Sequence, residues 1–215
     1  LLMDVLLKDM NPVLQLLLTM AMFTLLPFVF MCMTSFLRFV IVFSMLKTAM
    51  GTNSVPPAMV LIGLCIIMTF YTMSPVFQKM YEAGSVPYQQ NGNIVMAVQA
   101  GSEPLKEFML KQTRQEDIAF FIEKTRTVRP ETPEDLTLWE VAPAYILSEL
   151  RTAFEIGFII YVPFTVLDLV VANILLALGM FMLSPTIVSL PFKLLIFVAV
   201  DGWSLIVKGL VESFN

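Results

Sequence analysis

Histidine is missing from all 215 residues of the chain, and its absence removes the commonest general base, metal ligand and pH switch of proteins. Only two cysteines occur, Cys32 and Cys65, and both lie within apolar runs. Two such thiols make neither a disulfide framework nor a zinc site, so we interpret them as small buried hydrophobic side chains. The net charge of −4 lacks the basic surplus that phosphate recognition requires. We therefore expect no metal, no cofactor and no nucleic-acid partner.

Charged residues are also scarce, at 14% of the chain against about a quarter in soluble domains. Apolar residues make up 58%, and they form long blocks at about residues 12–47, 58–76, 141–178 and 186–210. Such blocks predict helices in a bilayer, since a helix needs about 20 apolar residues to cross it. The first block predicts either one helix with an extension or a helix broken near Pro27. No signal-peptide pattern is visible at Leu1, so none is expected in these residues.

The alternation of apolar and polar sequence divides the chain into three segments. Residues 1–78 hold the N-terminal apolar helices, which we expect to form a first hairpin, and residues 141–215 hold a C-terminal helical hairpin. Residues 79–140 contain seven Lys/Arg and ten Asp/Glu, which favour an aqueous environment. Within this polar segment, residues 103–124 are predicted to be helical and residues 129–135 to form a solvated loop.

The first loop carries the only orientation signal that we use. Arg38 and Lys47 precede the breaker Gly51, Pro56 and Pro57, and no acidic residue stands among them. The positive-inside rule then puts this loop in the cytoplasm. The polar segment is accordingly predicted to lie on the periplasmic side.

Five ionisable residues interrupt the apolar blocks of the C-terminal hairpin, and each costs several kcal/mol in a membrane unless it meets a partner or water. They are Glu149, Arg151, Glu155, Asp168 and Lys193. Arg151 and Glu155 lie four apart and can pair along one helix face. The charges either pair within the chain or lie near the membrane interface, or else they line a polar conduit or a subunit interface. We favour the last interpretation.

Prolines also sit in or beside the apolar blocks, where each removes a backbone donor. Their freed carbonyls must be satisfied by neighbouring helices or water, which is typical of helices packed around a cavity. The pattern favours broken helices, and the prolines in or beside the apolar blocks are Pro27, Pro75, Pro143, Pro163, Pro185 and Pro191.

A short turn between Gly179 and Pro185 carries three bulky apolar side chains, Met180, Phe181 and Met182. Unbranched thioethers repack around objects of varying shape. A ring of such turns could form a deformable apolar constriction that excludes water and ions. The alternative is a loop tip that enters lipid or packs on a neighbour. We refer to residues 180–182 as the Met-Phe-Met turn.

Several stretches resemble one known family over nearly the full length of the chain. They are TSFLR at 34–38 with the turn at 51–57, PLKEFMLKQTR at 104–114, LSELRTAF at 147–154, ILLALGM at 174–180, LPFKL at 190–194 and DGW at 201–203. Together they resemble the FliP/SctR family of type III secretion export-apparatus proteins. Residues 108–114 are more similar to the flagellar branch than to the virulence injectisome branch.

The resemblance implies an assembly rather than a solitary chain. It implies a ring of five copies with FliQ-like and FliR-like subunits, built as a helical cone that is raised largely above the bilayer inside the basal-body ring. Unfolded flagellar substrates would pass through its centre, and FlhB-like and FlhA-like export proteins would be further partners. The implied location is the bacterial inner membrane, in the flagellar basal body and largely on its periplasmic side.

The resemblance also assigns roles to particular residues. It implies that Phe108 and Phe121 lie between adjacent subunits near the pore and that Glu149 lies at subunit contacts. Further charges, Arg114 among them, are expected at interfaces. The Met-Phe-Met turn matches the methionine gasket of the family, where three consecutive methionines are common. Phe181 departs from that pattern, and a phenyl ring is stiffer than a thioether.

Three functions compete for this sequence. An export-gate subunit accounts for the broken helices, the internal charges and the apolar turn. An ion or small-solute channel or transporter subunit explains the charges equally well, but transporters usually show internal repeats and none is found. An intramembrane enzyme could use Asp168 and Asp201 as a carboxylate pair, but no nucleophile, metal cluster or phosphate loop accompanies them. We expect an all-α membrane protein of helical hairpins that assembles into a ring or cone, and no enzyme.

Overall fold

The computed structural model describes residues 11–52, 55–125 and 135–214, and these residues are almost wholly helical. No strand occurs within the described ranges, which confirms the predicted all-α class. Eight helices follow one another in these ranges: α1 Pro12–Met33, α2 Phe36–Ala49, α3 Ala58–Asn91, α4 Ile94–Gln112, α5 Gln115–Thr125, α6 Leu138–Ala177, α7 Pro185–Ala199 and α8 Gly202–Glu212.

Two of the described helices are long and apolar enough to cross a membrane, Ala58–Gln89 within α3 and the whole of α6. Their 32 and 40 residues exceed the roughly 20 that a bilayer requires. Two bent pairs also qualify if each pair is counted as one span. One joins Pro27–Met33 to α2 at 79°, and the other joins α7 to α8 at 63°. Length and composition therefore allow two to four spans among the described residues.

The first apolar block is broken at Thr34 and Ser35, not near Pro27, which lies inside α1. Thr34 has extended backbone angles, with φ −124° and ψ 175°. Its hydroxyl donates to the Phe30 carbonyl at 2.7 Å, and its own carbonyl accepts from the Tyr145 hydroxyl at 2.9 Å. The prediction at Pro27 was wrong because the break occurs where hydroxyl groups satisfy the backbone groups that it frees.

Other predicted boundaries also differ from the structure. Helix α3 continues through Pro75, α6 continues through Pro143 and Pro163, and α7 continues through Pro191, so these prolines do not end their helices. The predicted helix over residues 103–124 is two helices, α4 and α5, because Thr113 adopts an extended conformation between them. The predicted loop at 129–135 lies outside the described residues except for its last member.

The described residues divide into two compact units. The described residues of the first unit lie within 11–34 and 73–148, and those of the second lie within 35–72 and 149–214. The segment boundaries predicted at residues 78 and 140 both fall inside helices, α3 and α6, because a change of composition along a helix does not end it. The three-segment division remains a prediction about which residues meet water.

The core of the first unit lies where α1, α4 and α6 meet. Met33, Met109, Val141 and Tyr145 are all buried there, together with Leu136. The ends of three helices thus share one apolar cluster.

A tight hairpin joins α3 to α4 in the same unit, with Gly92 at its turn in the left-handed region. A Cβ atom added to Gly84 would lie 3.0 Å from the Ala97 carbonyl oxygen. A side chain there would crowd the Ala97 carbonyl, so glycine favours the approach of the two helices backbone to backbone.

The core of the second unit surrounds α2. Phe39, Val42, Phe43 and Leu46 on this helix are almost completely inaccessible to solvent. They pack against buried residues from α3, α6, α7 and α8, which include Leu61, Cys65, Ala153, Phe164, Phe197 and Leu210. The interpretation of Cys65 as a small buried hydrophobic residue agrees with this position.

The corner between α7 and α8 depends on Asp201 and Gly202. Asp201 has φ +52°, in the left-handed region where aspartate is one of the tolerated residues. A Cβ atom at Gly202 would lie 2.3 Å from the ring of Phe197. That ring in turn packs edge-on against Trp203 at 5.3 Å between centroids. The corner therefore needs a residue without a side chain at position 202.

We expect Gly202→Ala to destabilise the second unit because the new methyl group displaces the buried Phe197 ring. Overpacking of this kind typically costs about 1–3 kcal/mol. Gly209→Ala on the same helix is the matched control, since a Cβ there meets no atom within 4 Å. Protease resistance of the purified, detergent-solubilised chain measures the difference. Equal resistance of the two variants would contradict the close approach at this corner.

Candidate functional site

Arg38 and Glu149 form an ion pair inside the second unit. Arg38 lies near the start of α2 and is 2% exposed, and Glu149 of α6 is completely buried. The Arg38 Nε donates to Glu149 Oε2 at 2.8 Å, while Nη2 donates to Oε1. A planar guanidinium matches a carboxylate in this two-point manner, which fixes orientation as well as distance. The pair joins residues that are 111 positions apart in the sequence.

The same guanidinium also holds the end of α8. Arg38 Nη1 donates to the Ser213 carbonyl at 3.0 Å and to its hydroxyl at 2.8 Å. The ring of Phe214 lies over the guanidinium, 3.7 Å from the carbon at its centre, and meets Phe39 edge-on. A cation at the C-terminus of a helix is favoured by the helix dipole. Arg38 therefore connects α2, α6 and α8.

Lys193 and Asp168 form a second ion pair in this unit. The Lys193 Nζ lies 2.7 Å from Asp168 Oδ2 and donates to the Ala49 carbonyl at 3.0 Å. The Ser189 hydroxyl donates to the other oxygen of Asp168. Ala49 is the last residue of α2, so Lys193 completes the end of that helix. The lysine is buried, whereas the Asp168 side chain is 31% exposed.

The five charged residues that the sequence singled out fall into two groups in the structure. Glu149, Asp168 and Lys193 are paired within one chain, which agrees with the alternative that we did not favour for these residues. Arg151 and Glu155 lie on the exposed surface of α6. Contacts of any of these charges with a neighbouring subunit remain a prediction.

Arg114 and Asp201 occupy helix junctions. Arg114 is half-buried in the break between α4 and α5, and Asp201 is exposed at the start of α8. Asp168 is bonded to Lys193 and Ser189. Among the described residues, no group of three or more Cys, Asp or Glu is placed to hold a metal ion.

The sequence predicts that Arg38 is a positive-inside signal in a loop, and it does not reveal the bonds of Arg38 to Glu149 and Ser213. The residue lies instead within α2 and is buried, so it does not report orientation. One signal was available, because a cation inside an apolar run without a nearby acid needs a distant partner. Nothing in the sequence identified that partner as Glu149, nor Ser213 as the third member.

The predicted interface aromatics lie on either side of the break between α4 and α5. Phe108 of α4 packs near Tyr145, with 6.1 Å between ring centroids. Phe121 of α5 meets Phe120 edge-on at 5.2 Å, and Phe120 is more than half exposed. The placement near a pore that the resemblance implies for Phe108 and Phe121 remains a prediction.

The Met-Phe-Met turn follows the end of α6 at Ala177, where Gly179 has φ +72°. The Met180 amide donates back to the Leu175 carbonyl at 2.9 Å, which closes the helix end. Pro185 then begins α7. Phe181 is 75% and Met182 is 99% exposed in the single chain. Large apolar side chains in such a position require cover from lipid or from another chain.

Helices able to span a membrane, ion pairs that join α6 to α2 and to α7, and an exposed apolar turn are typical of a helical membrane protein. Residues 18–210 match the model of the FliP family. The chain belongs to the FliP family, which confirms the resemblance drawn from its motifs.

Relatives extend over most of the chain. It is 44% identical over 208 residues to the flagellar biosynthetic protein FliP of Bacillus subtilis strain 168, covering 96% of this chain and 94% of that protein. The FliP of Pectobacterium carotovorum is 44% identical over 201 residues, covering 93% of this chain and 78% of the relative. The FliP of Buchnera aphidicola subsp. Acyrthosiphon pisum is 47% identical over 193 residues, which cover 89% of this chain and 51% of that relative.

Removal of one member of the Arg38–Glu149 pair should destabilise the chain. Glu149→Ala leaves a buried guanidinium without its carboxylate, which typically costs about 3–5 kcal/mol. We expect lower accumulation, faster proteolysis and weaker assembly on native gels. For accumulation and proteolysis of the chain, Arg151→Ala is the matched control, because Arg151 is exposed two positions along the same helix.

The double variant Arg38→Met with Glu149→Leu distinguishes two causes of instability. It removes the ion pair without leaving a buried charge unpaired. Replacing both partners by apolar residues of similar size is often close to neutral, so it should recover much of the lost accumulation. An unchanged complex with Glu149→Ala on native gels would count against the role of this pair.

Proposed function

We propose that the chain is a core subunit of a flagellar-type protein export gate, in which it forms the channel for unfolded substrates across the inner membrane. The observation that carries this proposal is the family match over residues 18–210. The relatives that extend over most of the chain are named flagellar biosynthetic proteins. Their names concern flagellar assembly and not solute transport, so the alternative of an ion or small-solute channel gains no support from them.

The Met-Phe-Met turn supports a constriction in that channel. It is exposed, apolar and carried between α6 and α7. Several copies arranged about one axis would bring their turns together into a ring. Met180 and Met182 would deform around a passing chain, while Phe181 would add a stiffer wall or point away from the lumen. A dry ring of this kind would hold back ions when no substrate is present.

Partners follow from the proposed role. We propose further copies of the chain in a ring of five, FliQ-like and FliR-like subunits, and contacts with FlhB-like and FlhA-like proteins and the basal-body ring. The exposed apolar side chains of α1 support such an arrangement, because a helix that is apolar on all sides needs lipid or other helices around it. They include Val13, Leu14, Leu16, Leu17, Met20 and Phe28.

We also propose that the chain acts without catalysis. Asp168, the carboxylate considered for an intramembrane reaction, is bonded to Lys193 and Ser189 and thereby has a structural role. The coupling of export to an energy source would then belong to the partner proteins.

Complementation tests the proposed function directly. We expect this chain to restore export of flagellar subunits to a Bacillus subtilis strain that lacks its own FliP, since the two proteins are 44% identical over nearly their full lengths. Secreted flagellar subunits in the culture medium are the measurement, with membrane accumulation of the chain as control. Stable accumulation and assembly without any export would overturn the proposal.

The constriction is tested by deletion of residues 180–182 in cells that also contain the partner subunits. We expect small molecules to leak across the inner membrane, because the apolar seal is lost. A variant with three serines in their place keeps the length of the turn and should leak as well. Small-molecule uptake is the measurement, and native gels verify assembly. Intact assembly without leakage would remove the turn from the seal.

A further inference from the structure

The corner between α4 and α5 depends on backbone groups that neither helix satisfies by its regular pattern. Helix α4 ends at Gln112 and α5 begins at Gln115. Thr113 between them is extended, with φ −95° and ψ 134°, and its hydroxyl donates to the Met109 carbonyl at 2.6 Å. The carbonyl that ends one helix and the amide that precedes the next must find partners outside the helices.

Ser148 of α6 supplies both partners with one hydroxyl group. The Arg114 amide donates to Ser148 Oγ at 3.1 Å, and Ser148 Oγ donates to the Gln112 carbonyl at 3.3 Å. Ser148 is completely buried, so water does not compete at this position. A hydroxyl group is suited to the task because it donates and accepts at once. An alanine would leave both sides of the corner without these bonds.

A second contact comes from the same face of α6. Tyr145 lies three residues before Ser148, so the two side chains project to one side of the helix. The Tyr145 ring lies near Phe108 of α4, and its hydroxyl donates to the Thr34 carbonyl at the end of α1. Two side chains of α6 thus support the last turn of α4. The Tyr145 ring packs near Phe108, and the Ser148 hydroxyl donates to the Gln112 carbonyl.

We propose that Ser148 is the positioning residue of this corner and that its hydroxyl sets the angle at which α4 and α5 present Phe108 and Phe121 to a neighbouring copy of the chain. Phe108 lies before the break and Phe121 after it, so a change of angle displaces one ring relative to the other. The inference rests on the proposed function, since it takes the corner as a contact between copies. In this proposal, the angle that the Ser148 hydroxyl sets determines how the two aromatic rings meet the neighbouring copy.

The test uses the full chain in membranes with its partner subunits. A photo-crosslinking amino acid replaces Phe120, which is exposed beside Phe121, and the yield of crosslinked dimer is measured. We expect Ser148→Ala to lower this yield about tenfold, because two backbone groups lose a buried hydrogen bond. Ser148→Thr retains the hydroxyl and should restore most of the yield.

Val141→Ala is the control for a purely structural effect. Val141 lies on the same face of α6 and in the same buried cluster, and its truncation removes packing without removing a hydrogen bond. At equal amounts of chain, we expect the Val141 variant to crosslink within about twofold of the unsubstituted chain. An equal loss in both variants, or no loss in Ser148→Ala, overturns the inference.

If Ser148→Ala fails to accumulate, the isosteric Ser148→Cys decides the question, since a thiol is a weak donor and a weak acceptor. Reduced crosslinking of this variant at normal accumulation supports the inference, and an undiminished yield overturns it. Absence of crosslinked dimer in the chain with an intact Ser148 overturns the inference, because it contradicts the contact between copies at this corner. The proposed function is decided separately, by complementation of export.

Discussion

A guanidinium removed from water needs acceptors on several sides, and this requirement at Arg38 organises the second unit. Its two-point bond to Glu149 sets the register of α2 against α6, because a carboxylate one turn away could not be reached in the same geometry. Its bonds to Ser213 bring the last turn of α8 to the same place. The apolar packing around Phe39 and Phe43 then fills the space that these bonds define.

Hydroxyl groups satisfy the backbone at the two breaks that follow α1 and α4. Thr34 and Thr113 each return a hydrogen bond to the preceding turn, and hydroxyls from α6 reach the backbone at both breaks. Prolines such as Pro75 lie instead inside continuous helices. A proline removes a donor and crowds the carbonyl of the preceding turn, whereas a hydroxyl provides new bonds for the groups that a break exposes.

The all-α class and the turn at 180–182 could be predicted from the sequence, because block length and the Gly179 and Pro185 signals are local properties. The breaks at Thr34 and Thr113 could not, since they depend on Tyr145 and Ser148, which are distant in the sequence.

The charges show the same limit. The pairing of Arg151 with Glu155 follows from spacing along one helix and stays a prediction, whereas the pairs of Glu149 and Lys193 join different helices. The need for partners was visible in the sequence, whereas their identity required the fold.

The two ion pairs have a consequence for biogenesis. Arg38 and Lys193 each meet an acidic side chain and a helix-terminal carbonyl of the same chain. A newly inserted copy can therefore neutralise these charges alone, without waiting for a neighbour in the bilayer. Formation of the two pairs and any association with further subunits are thus separate events.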